Sequence, residues 1–173
     1  MVKAISSNVA QYITVQTFVK ALRAVVVEEL QPKLLNAGKK LSGTPPFPWS
    51  GLTMKAAKTV YNLVHYGNKF ELEFADFLEK AGDVAAFAKL PERFRFSIDY
   101  TDAVANLRYY EPDFVAVTTD GSHHLVETKG RAARIWCENA TVLTGVEWDY
   151  VKVGQIEYNK LRPTLLADLN ALI

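Results

Sequence analysis

Apolar residues recur along this chain with two different periods, one typical of helices and one typical of strands. Four helices are predicted, over residues 15–34, 54–66, 69–80 and 132–143. Five strands are predicted, near residues 85–90, 94–100, 113–119, 125–129 and 148–153. This order predicts an α/β fold, in which helices flank a mixed central β-sheet and a helical extension precedes the core.

A proline-rich segment separates the first predicted helix from the rest of the chain. Residues 43–51 read GTPPFPWSG, and this composition predicts a surface loop because proline donates no backbone hydrogen bond. We expect residues 1–52, the helix and this loop, to pack on a core formed by residues 53–173. A chain of 173 residues with 49% hydrophobic residues can bury one compact core without disulfides or a structural metal.

Composition and charge indicate where the protein is located but do not indicate its activity. The sequence shows no signal peptide or membrane span, and the only cysteine, Cys137, has no partner for an internal disulfide. We therefore expect a protein of the cytoplasm that does not enter a membrane. The net charge of +1 does not by itself indicate nucleic-acid binding, although a locally basic face would be enough for such binding.

Residues 112–129, PDFVAVTTDGSHHLVETK, are the most informative stretch of the chain. Asp120-Gly121 lies between two apolar segments and predicts a tight hairpin turn. Strand side chains alternate between faces, so Glu127 and Lys129 emerge on the same side of the predicted strand. Asp113 begins the partner strand, where its carboxylate can converge on Glu127.

Two converging carboxylates predict a site for a hard divalent cation such as Mg²⁺, which takes one or two protein carboxylates and keeps several waters. Lys129 beside them could orient or help deprotonate a water, or stabilise negative charge on a phosphate. The alternative is an ordinary hairpin that carries an exposed Glu-x-Lys pair on its surface.

The pattern Pro112-Asp113 followed by Glu127-Thr128-Lys129 resembles the PD-(D/E)xK nuclease superfamily. The wider run YEPDFVAVTTDGSHHLVETKG, with WCENA and GVEWDYVKV downstream, resembles the C-terminal endonuclease region of type III restriction enzyme Res subunits over most of residues 10–165. The resemblance implies a restriction-endonuclease-like fold and Mg²⁺-dependent hydrolysis of DNA phosphodiester bonds, with Mn²⁺ as a substitute. It also implies that the Thr128 carbonyl helps Asp113 and Glu127 to bind the metal.

The same resemblance implies partners. In these restriction enzymes a helicase lies in the same chain and a methyltransferase (Mod) subunit reads the DNA sequence. This chain has no GxxxxGK[ST] motif, so ATP would act only through an upstream helicase. One departure concerns the segment after Gly130, where the family leads us to expect roughly a dozen more residues, including a lysine, before the helix that leads to WCENA.

In the superfamily an acidic residue on the helix before the sheet completes the site. Helical geometry places Glu71 at the edge of the apolar stripe formed by Phe70, Phe74, Phe77 and Leu78, so we expect Glu71 to bind a second metal or its water. The alternative is a glutamate whose carboxylate reaches water. The other acidic residues of this helix are Glu73, Asp76 and Glu79.

Two further readings stay open. The chain could be a non-catalytic DNA-binding or docking module on a nuclease scaffold, or a nuclease that is active only with its partners. Basic residues near the predicted strands could contact phosphates, although solvated surface charge is the alternative for each: Lys89, Arg93, Arg95, Arg108, Arg131 and Arg134. The pairs His123-His124 and Tyr109-Tyr110 favour packing over zinc binding and base stacking.

Overall fold

The computed structural model describes residues 7–26, 40–101, 107–127 and 133–172. In chain order the helices and strands are α1 (Asn8–Val26), β1 (Thr53–Met54), β2 (Val64–His65), α2 (Lys69–Lys80), β3 (Val84–Lys89), β4 (Ile98–Thr101), β5 (Leu107–Tyr110), β6 (Phe114–Thr118), β7 (His123–Glu127), α3 (Ala133–Thr144), β8 (Trp148–Lys152) and α4 (Gln155–Leu161). Short 3₁₀ helices lie at Leu41–Gly43, Glu92–Phe94 and Leu166–Leu172.

The chain divides into two compact units. One contains the described residues of 1–32 and 99–109, and therefore α1 and most of the two-stranded sheet of β4 and β5. The other contains the described residues of 33–98 and 110–173. The predicted division at residue 52 stays a prediction.

The second unit is built on a four-stranded sheet with the order β3-β6-β7-β8. β6 pairs antiparallel with β3 and with β7, whereas β8 pairs parallel with β7 across the α3 connection. The predicted mixed sheet flanked by helices is therefore confirmed. No helix in the described ranges combines the length and the apolar character needed to cross a membrane.

Helices cover both faces of this sheet because successive strand residues point to opposite sides. Phe114 of β6 faces α2, where its ring centroid lies 5.3 Å from that of Phe74, and both side chains are fully buried. The next residue, Val115, belongs to the other apolar cluster, which includes Cys137 of α3. Asn68 begins α2 by accepting a 2.9 Å hydrogen bond from the Glu71 backbone N–H, a typical N-cap.

The hairpin turn predicted at Asp120-Gly121 is confirmed. Gly121 adopts a φ of 93°, a conformation that glycine enters without steric cost. The Asp120 carboxylate accepts a 3.0 Å hydrogen bond from the Ser122 backbone N–H. The turn fixes the strand register, in which Phe114 lies opposite Val126.

The helix predicted over residues 54–66 is wrong. The structure has two short antiparallel strands there, β1 and β2, joined by bends. The backbone N–H groups of Ala57 and Lys58 donate to the Glu79 carboxylate, at 2.9 and 3.0 Å. The Val60 N–H donates to the Phe87 carbonyl. Because these donors find partners in α2 and β3, the segment does not need helical hydrogen bonds.

Several element bounds also differ from the prediction. The strand predicted over 94–100 begins only at Ile98, because the preceding 3₁₀ turn ends at Arg95 with a φ of 53°. α1 begins at Asn8, before the predicted residue 15, and the predicted residues 27–34 lie outside the described residues. The strand β5 and the helix α4 were not predicted.

Candidate active site

Strand pairing brings the two predicted metal-binding carboxylates to the same end of the sheet. Asp113 immediately precedes β6 and Glu127 ends β7. Because Phe114 pairs with Val126, continuing the antiparallel register by one residue places Asp113 opposite Glu127. The backbone carbonyl of Asp113 accepts from Leu90 N–H, and that of Glu127 accepts from Val153 N–H, each at 2.9 Å. Neighbouring strands therefore hold both positions rigidly.

A buried lysine joins Glu71 to Asp113. The Lys89 ammonium lies 3.2 Å from Glu71 Oε2 and 3.7 Å from Asp113 Oδ1. The side chains of Lys89 and Glu71 are only 10% and 9% exposed. Glu71 Oε2 also accepts a 2.8 Å hydrogen bond from Gly67 N–H. Two carboxylates from different elements thus converge on one cationic group.

Sequence reasoning placed Lys89 among surface phosphate contacts and did not find this ion pair. The structure instead buries the ammonium, which also lies 4.9 Å from the centroid of the Phe114 ring. The available signal was position, since Lys89 follows the apolar run Phe87-Ala88 of a largely apolar strand. A lysine in such a place needs a charged partner when it is buried.

Glu71 is distinct from the other acidic residues of α2. Glu73 pairs with Lys69 at 3.3 Å, and Asp76 pairs with Lys80 at 2.6 Å, both along the helix surface. The Glu79 carboxylate accepts the backbone hydrogen bonds of the β1–β2 segment described above. Among these four side chains, Glu71 lines the pocket that also contains Asp113.

Two tyrosines interact electrostatically with Glu127, a residue that is 3% exposed. Burial raises the pKa of Tyr110, and the interaction of its hydroxyl with Glu127 raises this pKa further. Burial, followed by the negative charge of Glu127, raises the pKa of Tyr150 to about 12. Both phenols are therefore neutral at physiological pH. Sequence analysis weighed packing against base stacking for Tyr110 and did not predict its interaction with Glu127, because that interaction depends on tertiary structure.

An open pocket of about 410 Å³ lies over this end of the sheet. The carboxylates of Glu71 and Asp113 line it together with Lys89, and Trp49 and His65 form part of its wall. Burial lowers the pKa of His65, and the positive charge of Lys89 lowers it further. His65 is therefore a neutral ring beside the charged cluster.

The remaining predicted site residues divide into two groups. Thr128 and Lys129 lie outside the described residues. His123 stacks on Trp148, with ring centroids 4.7 Å apart. His124 is buried, with Nδ1 3.9 Å from Asp149 Oδ2. Both histidines therefore have packing partners at the other end of β7.

Carboxylates are the side chains of this site that could hold a metal ion. Within the described ranges no group of three or more His, Cys, Asp or Glu side chains is arranged to hold a metal. Mg²⁺ needs only one or two carboxylates and fills its other positions with water. Asp113 and Glu127, opposite each other at the strand ends, meet this requirement, and the convergence of Glu71 and Asp113 on an ammonium shows that the site favours positive charge. The residues therefore fit a hard divalent cation.

A mixed sheet between two layers of helices, with acidic residues gathered at the ends of its central strands, defines an α/β protein of the restriction-endonuclease-like type. A family model described as an endonuclease domain matches residues 57–164, more than half of the chain. The chain therefore belongs to this endonuclease-domain family. No curated protein and no solved structure matches it. The matched region contains Glu71, Lys89, Asp113 and Glu127.

Proposed function

We propose that this chain is a Mg²⁺-dependent DNA endonuclease domain, the nuclease part of a type III restriction Res subunit. The observation that carries the proposal is the convergence of Glu71 and Asp113 on one buried cationic group, 3.2 and 3.7 Å away. This convergence lies beside Glu127, within the region that matches the endonuclease family. Such a site suits hydrolysis of a phosphodiester bond.

Each residue has a separate task in this proposal. Asp113 and Glu127, with the Thr128 carbonyl, would hold Mg²⁺ or Mn²⁺, and Lys129 would position the attacking water. A bound divalent ion supplies Lewis-acid stabilisation of the phosphate and makes water a stronger nucleophile at neutral pH. Glu71, fixed by Gly67 N–H and Lys89, would accept a second ion or orient a water of the first.

The partners in the proposal come from the sequence resemblance. A helicase domain in the same chain would consume ATP, and a methyltransferase subunit would select the DNA sequence. The restriction-modification role and a cytoplasmic location follow from those partners. The nuclease residues themselves would act on the phosphate backbone, which is common to all sequences.

Nicking of supercoiled plasmid by the purified chain tests the proposal. We expect open-circular product with Mg²⁺ or Mn²⁺, none with EDTA, and none from folded Asp113→Asn or Lys129→Ala variants. Glu157→Gln is the matched control, because Glu157 is an exposed carboxylate on α4. Equal nicking by Asp113→Asn and Glu157→Gln would reject the assignment.

A second candidate is a DNA-binding or docking module that keeps the nuclease scaffold without catalysis. The Lys89 ion pair favours it, because the ammonium already gives Glu71 and Asp113 a cationic partner from within the chain. This candidate predicts that the folded chain binds DNA but neither binds Mn²⁺ nor nicks plasmid. Nicking that requires Asp113 would exclude it.

A further inference from the structure

We propose that the active-site pocket continues into a basic cleft that binds one unpaired strand of the nucleic acid. In this cleft Arg93 and Arg95 contact backbone phosphates, and Trp49 stacks on a base. The inference rests on the proposed function, because it assigns the path of the DNA strand that the site would cut.

The active-site pocket is continuous with a second cavity. The pocket with Glu71 and Asp113 has a volume of about 410 Å³, and a second cavity has a volume of about 460 Å³. The two share Phe47, Pro48 and Arg93 in their walls. A flexible chain that enters the second cavity can therefore reach the carboxylates.

The charge of the second cavity suits a nucleic acid. The described residues that line the second cavity include Arg93 and Arg95 and no acidic residue. Both arginines are exposed, and neither forms an ion pair with any residue that the structure describes. The turn fixes their separation, since the Arg95 backbone N–H donates to the Glu92 carbonyl at 2.9 Å. A guanidinium group that forms no ion pair with a carboxylate can bind a phosphate, because it can donate two parallel hydrogen bonds to two phosphate oxygens.

Trp49 is an aromatic side chain that is both exposed and held in place. It is 50% exposed and lines the pocket with the carboxylates. Its Nε1 donates to the Leu52 carbonyl at 3.2 Å, and its ring lies 4.7 Å from that of His65. Stacking on such a platform requires a base that has left the duplex, and single-strand binding sites commonly use this arrangement. The combination therefore favours an unpaired strand over an intact duplex.

Binding of a short fluorescent oligothymidine to the full chain, measured by anisotropy in EDTA, tests the cleft without cleavage. For the unmodified chain we expect tighter binding than to a duplex of the same length. The slope of log affinity against log salt concentration should fall by about 0.7 for each of Arg93→Gln and Arg95→Gln. Trp49→Ala should weaken binding about tenfold, and Trp49→Phe should restore most of it.

Arg162→Gln is the matched control. Like Arg95, Arg162 is exposed and follows a helical turn with a left-handed backbone, at a φ of 49° compared with 53°. It lines neither cavity. The cleft assignment is overturned if the arginine variants show the same salt slope as Arg162→Gln, or if Trp49→Ala binds as well as the unmodified chain. Circular dichroism confirms that each variant is folded.

Nicking by the same proteins separates this inference from the proposed function. Strand binding that depends on Arg93, Arg95 and Trp49, without Mg²⁺-dependent nicking, would support the cleft and reject nuclease activity of the isolated chain. Nicking that depends on Asp113, with unchanged binding by the arginine variants, would support the nuclease and reject the cleft.

Discussion

Replacement of Lys89 by methionine tests how the acidic cluster is held together. Methionine keeps an unbranched apolar stem of similar length beside Phe114 but removes the ammonium. Glu71 and Asp113 would then lose the countercharge that Lys89 gives to both, although their side chains are only 9% and 19% exposed. We expect a folded but markedly less stable protein.

The magnitude follows from the two contacts. At 3.2 and 3.7 Å, each attraction amounts to about 5 kcal/mol at an effective dielectric constant of about 20. Desolvation of the three groups offsets much of this, and removal of one partner of a buried ion pair typically costs about 3–5 kcal/mol. We therefore expect the free energy of unfolding to fall by about 3 kcal/mol, which lowers Tm by about 6–12 °C for a chain of this size.

Urea unfolding at pH 7 measures this loss, and a double-mutant cycle assigns it. Glu71→Gln removes one of the two carboxylates that lose Lys89, so the Lys89→Met/Glu71→Gln protein should be more stable than the sum of the single losses predicts, by at least about 1 kcal/mol. Mn²⁺ should also restore part of the stability of Lys89→Met, because the ion would replace the lost positive charge. Lys89→Met with unchanged stability, or strict additivity in the cycle, would refute this reasoning.

Three other predictions concern the scaffold. Burial lowers the pKa of His124 below its ordinary value of 6.5. Below pH 6.5 the imidazole is therefore protonated in the unfolded state more readily than in the folded state. The free energy of unfolding should therefore fall between pH 7 and pH 5.5, and by less in His124→Gln; equal losses would contradict this assignment. Burial raises the pKa of the Cys137 thiol to about 12, so Ellman's reagent should react with it only as urea unfolds the chain, and rapid reaction of the folded protein would contradict its burial. Gly121→Ala should cost about 1 kcal/mol in urea unfolding, because alanine is strained at a φ of 93° even with open space around it. Gly43→Ala, also in open space, is the control, and equal losses for the two glycines would contradict a backbone cause.

Local signals were enough to predict the parts of the fold that are stabilised locally. α2 was predicted at its observed bounds because Phe70, Phe74 and Phe77 share one helical face. The β6–β7 hairpin was predicted because Asp120-Gly121 determines both the turn and the register. That register brings Asp113 and Glu127 to the same edge.

Tertiary partners explain what could not be predicted. Residues 54–66 have apolar residues at helical spacing but form no helix, because their backbone N–H groups donate to Glu79 and Phe87, which are distant in sequence. The same limit applies to the site. Lys89 pairs with Glu71 only because α2 packs against the sheet. The interaction of Tyr110 with Glu127 is likewise a tertiary one that no short motif encodes.

In the proposed site Asp113 and Glu127 would hold the metal together, and metal binding needs no activating partner. Isothermal titration of the folded chain with Mn²⁺ tests it most directly, with Asp113→Asn and Glu127→Gln as variants and Glu157→Gln as the control. We expect saturable binding by the unmodified chain and by the control, and loss of that binding in both site variants. No binding by the folded chain, or equal binding by all four proteins, would contradict it.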